Sequence, residues 1–248
     1  MNGIQKVIKV FAICLAIVLI VNIFGWIVFG ISCFVGISEF IGTENSESNV
    51  SVSDEKDNYV YTEDVYKNIE KINIDIAYSE LNIITGGDLL TVQMDKSGRK
   101  VKVDVKTDTL RIREDDDWFW RDNRHVVIDL TIPKDMDVRD FNLDSGAGKI
   151  KIDGIDVDRA NIDHSAGKLE ILNSNFDKVN LNGGAGAIYI SSSVLNDLKF
   201  DAGVGKVDIS ADITGDSKIE CGVGGMDITL LGNEDNYKIL GETGIRKL

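Results

Sequence analysis

Two hydrophobic patterns divide the chain. From Val10 to Ser38 no residue is charged, an apolar run longer than the roughly 20 residues that carry a helix across a bilayer. From Ile69 onward apolar and polar residues alternate instead, in "KINIDI", "SELNII", "LLTVQM", "KVKVDV", "TLRIRE" and "HVVIDLTI", with turn signals at Gly86-Gly87 and Ser97-Gly98. A period of two with many β-branched residues predicts short strands bounded by turns. No stretch in this part has a helical period.

From Phe141 the alternation becomes periodic at a longer scale. "SGAGKIKI", "SAGKLEI", "GAGAIYI", "GVGKVDI" and "GVGGMDI" follow one another, and their closing glycines, Gly148, Gly167, Gly186, Gly205 and Gly224, recur every 19 residues. Such self-similarity predicts a repeat architecture. Each unit holds two strands. The strand after the corner points Ile150 and Ile152, Leu169 and Ile171, Ile188 and Ile190, Val207 and Ile209, and Met226 and Ile228 to one side. The strand before it does the same with Phe141 and Leu143, Ala160 and Ile162, Val179 and Leu181, Leu198 and Phe200, and Ser217 and Ile219. Side chains alternate across a strand, so each series lines one face, and stacked units turn the series into columns of a shared core. The predicted fold is therefore all-β: a single-stack β-solenoid with 19-residue rungs and G-x-G corners, about 24 Å long over five rungs at the strand spacing. The corner glycines are expected to be structural, since Gly enters positive φ without steric cost.

The repetition also disposes of a phosphate-loop reading of "GAGK" at residues 146–149. A P-loop needs a Gly five positions before Gly148 and a hydroxyl after the Lys, whereas Leu143 and Ile150 stand there.

Charge and cysteine usage extend the picture. The net charge is −14, and the only charges before Glu39 are Lys6 and Lys9, so the part beyond the apolar run is more acidic still. Lysines ahead of the run and Glu39, Glu44 and Glu47 after it place the short N-terminus in the cytoplasm and the rest outside the cell, as a single-pass cell-membrane protein. An acidic exported part repels nucleic acid. Cys14 and Cys33 lie in the apolar run and only Cys221 beyond it, which excludes an internal disulfide there. The segment "GTENSESNVSVSDEKDN" is poor in large apolar groups and reads as a disordered acidic tether. The expected organisation is a cytoplasmic stub and transmembrane anchor over 1–41, the tether over 42–68, an N-terminal β region with the solenoid cap over 69–140, and regular repeats over 141–248.

The run "LTIPKDMDVRDFNLDSGAGKIKI" and the recurring G-x-G followed by apolar-x-apolar resemble the bacterial putative-adhesin family of β-strand-repeat proteins, a domain of unknown function, over Ile69 to Leu248. The resemblance implies an exported or single-span envelope protein with a β-solenoid domain, and it supplies no catalytic residues. It implies a non-enzymatic role in adhesion or envelope interaction. The alternative is a membrane component of envelope-stress sensing or signalling that binds a protein partner, with helix contacts at Asn22, Gly25 or Gly30.

Chemistry-bearing residues are sparse. His125 and His164 are the only histidines, and His164 shares its repeat column with Ser145, Gly183, Ala202 and Cys221, which reads as a tolerated surface or corner position. Clustered Cys and His for zinc are absent. Asp144, Asp163, Asn182, Asp201 and Glu220 stand just before the corners. They read first as Asx-turns and second as a calcium stripe, with the turn reading favoured, so no cofactor or metal is expected. Asp208, Asp227, Glu170 and Lys151 read as a solvated face rather than a polysaccharide-cleaving site. "EDDDWFWRDNRH" is the unusual segment, since Trp118, Phe119 and Trp120 are costly to expose. It reads as a cap over the first rung or as a surface-binding tip toward a cell-wall glycan, a surface protein or the membrane, with the cap favoured. At the other end, an uncovered last edge predicts self-association through the solenoid end.

Overall fold

The computed structural model describes residues 57–94, 101–114, 126–233, 235 and 237–241. The apolar run and the tether up to residue 56 lie outside the described residues. Among those described, no helix is long and apolar enough to cross a membrane. The elements are β1 (Asp57–Tyr61), α1 (Glu63–Tyr66), β2 (Lys71–Ile76), β3 (Glu80–Thr85), β4 (Leu90–Met94), β5 (Val101–Lys106), β6 (Thr109–Glu114), β7 (Val127–Ile132), β8 (Val138–Asp153), β9 (Asp156–Leu172), β10 (Asn175–Asn196), β11 (Leu198–Thr214) and β12 (Lys218–Leu230).

Strands β8 to β12 form the predicted stack. They pair in parallel at a constant offset of one unit, so that Leu143 meets Ile162, Ile162 meets Leu181, Leu181 meets Phe200 and Phe200 meets Ile219. Each strand bends at its G-x-G corner into a first arm before it and a second arm after it. A third, shorter side follows an irregularity at Ser192, whose φ is 52°, and there Ser193–Asn196 pair with Ala211–Thr214. The residues predicted to face inward are buried from β8 through β11. The third side adds its own buried column of Val138, Val157, Phe176 and Leu195. Full burial of a Val, Leu, Ile or Phe side chain contributes about 1.5–3 kcal/mol, so the stack is held chiefly by these columns. In β12 the same positions are only partly covered, because nothing described stacks beyond them.

Two boundaries drawn from sequence shift. The tether does not reach residue 68: β1 pairs antiparallel with β4, α1 follows, and Tyr61, Tyr66 and Ile69 are buried. Three large side chains close together supply the burial that the polar run before them lacks. Nor does the solenoid begin at Phe141. Strands β2 and β3 pair in parallel with the first and second arms of β8, with Asn73 opposite Asn142 and Leu81 opposite Ile150. They form the first and second arms of a further rung, separated from β8 in sequence by a long insertion.

Part of that insertion builds another layer outside it. β6 pairs in parallel with β2, and β7 in parallel with β3. The first rung in the chain is thus the second in the stack. The outermost layer is closed by antiparallel strands, β5 on β6 and β4 on β7, with β1 beyond β4. Antiparallel pairing interrupts the parallel stacking of rungs, and the rim ends in two short edge strands, β1 and β5. Glu114 completes the closure. Its buried Oε2 accepts hydrogen bonds from the backbone N–H of Ala77 at 2.7 Å and of Tyr78 at 3.0 Å, and from the hydroxyl of Ser79 at 3.0 Å. A carboxylate at the end of β6 thereby serves the corner of the β2–β3 rung.

Candidate interaction surface

The corners position everything on the outer faces. Each closing glycine has a positive φ, for example 114° at Gly167 and 149° at Gly205. The tighter constraint is the neighbouring rung: a Cβ on Gly205 would lie 1.8 Å from the carbonyl oxygen of Gly186. With the corners in strict register, every side chain on the first arm repeats at the strand spacing of about 4.8 Å.

The outward side of that arm carries two polar columns. In the first, the amide Nδ2 of Asn142 donates to Oδ1 of Asn73 at 2.9 Å, that of Asn161 to Asn142 at 2.9 Å, and that of Asn180 to Asn161 at 2.8 Å. This four-rung amide ladder leaves at its end the unused carbonyl lone pairs and N–H groups of partly exposed side chains. Asp144, Asp163, Asn182, Asp201 and Glu220 form the second column, placed in register as the repeat requires. Among the described residues none of these side chains accepts a backbone N–H at its corner. The Asx-turn reading is therefore corrected: the groups point to solvent, and Asn182 donates across the rungs to Asp163. Insertion of an amide between carboxylates relieves like-charge repulsion at that rung.

A shallow groove of about 680 Å³ follows the acidic column past Asp163, Asn182, Asp201 and Glu220, with a floor of corner glycines and Cys221. A second groove of about 370 Å³ lies toward the capped end, between Asn73, Asn142 and Asp144 on one side and Arg111 and Arg113 on the other. The second column is thus mostly acidic, while the first runs from Arg111 at the capped end through the amide ladder to Lys199 and Lys218 at the open end. Among the described residues no group of three or more His, Cys, Asp or Glu is placed to hold a metal.

His164 is not at the surface. It is 3% exposed, its Nδ1 lies 3.2 Å from the Ser145 hydroxyl, and its Nε2 has no hydrogen-bond partner. A small cavity of about 10 Å³, lined by the ring, Gly183, Ile188 and Ala202 among others, lies beside it. Burial holds the imidazole below its ordinary pKa. Cys221 is three rungs away in the same column, and the register leaves the two apart.

On the second arm, Tyr189 stands between Glu170 and Asp208 in register. The ammonium groups of Lys168 and Lys206 lie 5.2 and 5.6 Å from its ring centre. Each lysine also pairs with the acid of its own rung, Glu170 at 2.7 Å and Asp208 at 3.5 Å. Asp208 and Glu170 thus lie on an outward face, as read from sequence, and the structure adds that each pairs with a lysine of its own rung. Trp118, Phe119, Trp120 and His125 lie outside the described residues. The described residues on either side of them are Glu114, at the end of β6, and Val126, just before β7. Sequence reasoning missed the amide ladder, although Asn142, Asn161 and Asn180 recur at the same 19-residue period as the glycines.

Residues 69–244 match the model of the Toastrack DUF4097 family, and the chain belongs to that family. Two solved structures are similar to it. One, described as a putative cell adhesion protein from Clostridium sporogenes, is 12% identical with a TM-score of 0.36, over 71% of this chain and 98% of that one. The other, described as a putative adhesin from Bacteroides fragilis, is 14% identical with a TM-score of 0.32, over 72% of this chain and 97% of that one. Among curated proteins none matches.

Proposed function

We propose that this chain is a non-enzymatic, membrane-anchored cell-surface protein. Its solenoid is displayed outside the cell and binds a neutral or basic envelope component along the outward face of the first arm. The observation that carries the reading is the pair of in-register columns on that face, the amide ladder and the acidic stripe beside an open groove. A flat surface with repeating amide and carboxylate groups suits an extended, hydroxyl-rich or cationic polymer better than a small substrate, which needs an enclosed pocket. An acidic face also disfavours anionic polymers. The apolar run from Val10 to Ser38 supplies the anchor, and the aromatic segment at Trp118 to Trp120 adds a further contact.

The test is binding of the detergent-solubilised full chain to whole cells and to isolated wall material at physiological salt. Saturable binding that falls about tenfold in Asn161→Ala/Asp163→Ala supports the reading, and a further loss in Trp118→Ala/Trp120→Ala extends the surface to the aromatic segment. Binding left unchanged by the first pair, or absent altogether, overturns it.

A further inference from the structure

We propose that the open end of the solenoid pairs with a second copy of this chain, β12 against β12, antiparallel and tail to tail, as a closed two-fold dimer. β12 is hydrogen-bonded to β11 on one side, and among the described residues no strand occupies its other side. Its backbone groups there form a row of unpaired donors and acceptors, the template on which another strand adds. Apolar side chains accompany the edge: Val223 is 68% and Ile228 41% exposed, and Ile219 and Met226 cover the inner columns only in part.

The choice of partner follows from the other end. The other end also finishes in edge strands, but these are short pieces on separate arms, β1 of five residues and β5 of six. β12 runs for 13 residues around its corner, so among the described strands only another β12 matches it in length and bend. The like surface left for β12 is another β12, and an isologous contact closes on itself without growing into a fibre.

Charge and side-chain parity then fix the register. A two-fold axis through the corner, between Gly222 and Val223, lays the first arm of each copy on the second arm of the other. Inward Ile219 then meets inward Met226 of the second copy, and outward Lys218 meets outward Asp227. Slipping by one residue would oppose apolar inward groups to polar outward ones. Shifting the sum of paired positions by two would set Glu220 against Asp227, two like charges directly opposite. Lys218 now pairs at 2.9 Å with Glu220 on its own strand, and both are largely exposed, so the ammonium is free to turn to the new partner.

Sedimentation of the full chain in detergent micelles should show a monomer–dimer equilibrium up to about 100 μM, with Kd weakened about tenfold by Lys218→Glu and restored by Lys218→Glu/Asp227→Lys. Register is read separately in a background carrying Cys14→Ala, Cys33→Ala and Cys221→Ala. There Lys218→Cys/Asp227→Cys should give a covalent dimer on mild oxidation, and Glu220→Cys/Asp227→Cys should give at least about tenfold less, because its sulfurs are out of register. A strict monomer at about 100 μM overturns the proposal and assigns the edge to the chain's own C-terminal residues or to a different protein. A dimer that ignores the charge exchange, or equal cross-linking of the two cysteine pairs, overturns it as well.

Discussion

His164 is the residue whose chemistry the fold changes most. Its ring is buried against Ser145 with Nε2 unpartnered, so the folded chain holds it neutral and its pKa lies below the ordinary value. The unfolded chain takes up a proton below about pH 6.5 that the folded chain refuses. Stability therefore falls as pH drops below about 6.5, by at most about 1.4 kcal/mol per unit, until the folded pKa is reached. Two carboxylates, Asp140 and Asp108, act later. Asp140 is held below the usual range by its hydrogen bond from Arg159, and Asp108 by that from Lys71. Their contribution is complete above about pH 4 and is lost only as pH falls further. Urea unfolding at about pH 7 and about pH 5 should show His164→Ser losing about 1 kcal/mol less than the parent chain between the two. An equal loss in both would mean that another group sets the acid slope. The buried position was legible in strand parity, since His164 stands two residues after inward Ile162, just as Ser145 follows Leu143. The glycines nearby hid it, because they suggest that the strand has already ended.

At the scale of the element, the corner is the unit under strictest control. Gly186 sits at a φ of 140°, and a Cβ there would stand 2.0 Å from the carbonyl oxygen of Gly167. Neither the backbone nor the next rung can yield without breaking the register of β9 and β10. Gly186→Ala should cost about 2–5 kcal/mol, combining strain at a special φ with overpacking against backbone. Gly225, one residue beyond the last corner glycine, has nothing within 4 Å of its would-be Cβ, so Gly225→Ala should stay within about 0.5 kcal/mol. Chemical denaturation of the two variants decides the matter, and equal effects would refute the close-approach argument. The 19-residue glycine period made the corners readable from sequence. The reason for their strictness was not, because the approach of one rung to the next exists only once the rungs are stacked. The same holds for the acidic column, whose members the sequence placed in register. Their outward direction, away from the corner N–H groups, depends on how each arm enters its bend.

Across the whole molecule, the order of layers is where sequence pattern and structure part. Ile72 pairs with Leu110, 38 residues on, which is two periods, whereas Leu81 pairs with Ile128, 47 residues on. The insertion at residues 115–125 breaks the period in the second arm, and the β4–β5 excursion separates β2 and β3 from the stack they belong to. The repeat was therefore visible only from Phe141. One consequence is an asymmetric molecule, with antiparallel strands and Glu114 closing the corner at one end and bare β12 at the other. In a solenoid each rung contacts only its neighbours, so local stability follows the number of stacked neighbours a rung has. Amide hydrogen exchange of the full chain, at a dilution where it is monomeric, should find β12 least protected among β8 to β12 and β9 and β10 most protected, by a factor of about 10³. β6 should exchange far more slowly than β12, although it too belongs to a terminal layer, because β5 pairs along its outer side. Equal protection at both ends would mean that the open edge is already covered within one chain, and would remove the asymmetry on which tail-to-tail pairing depends.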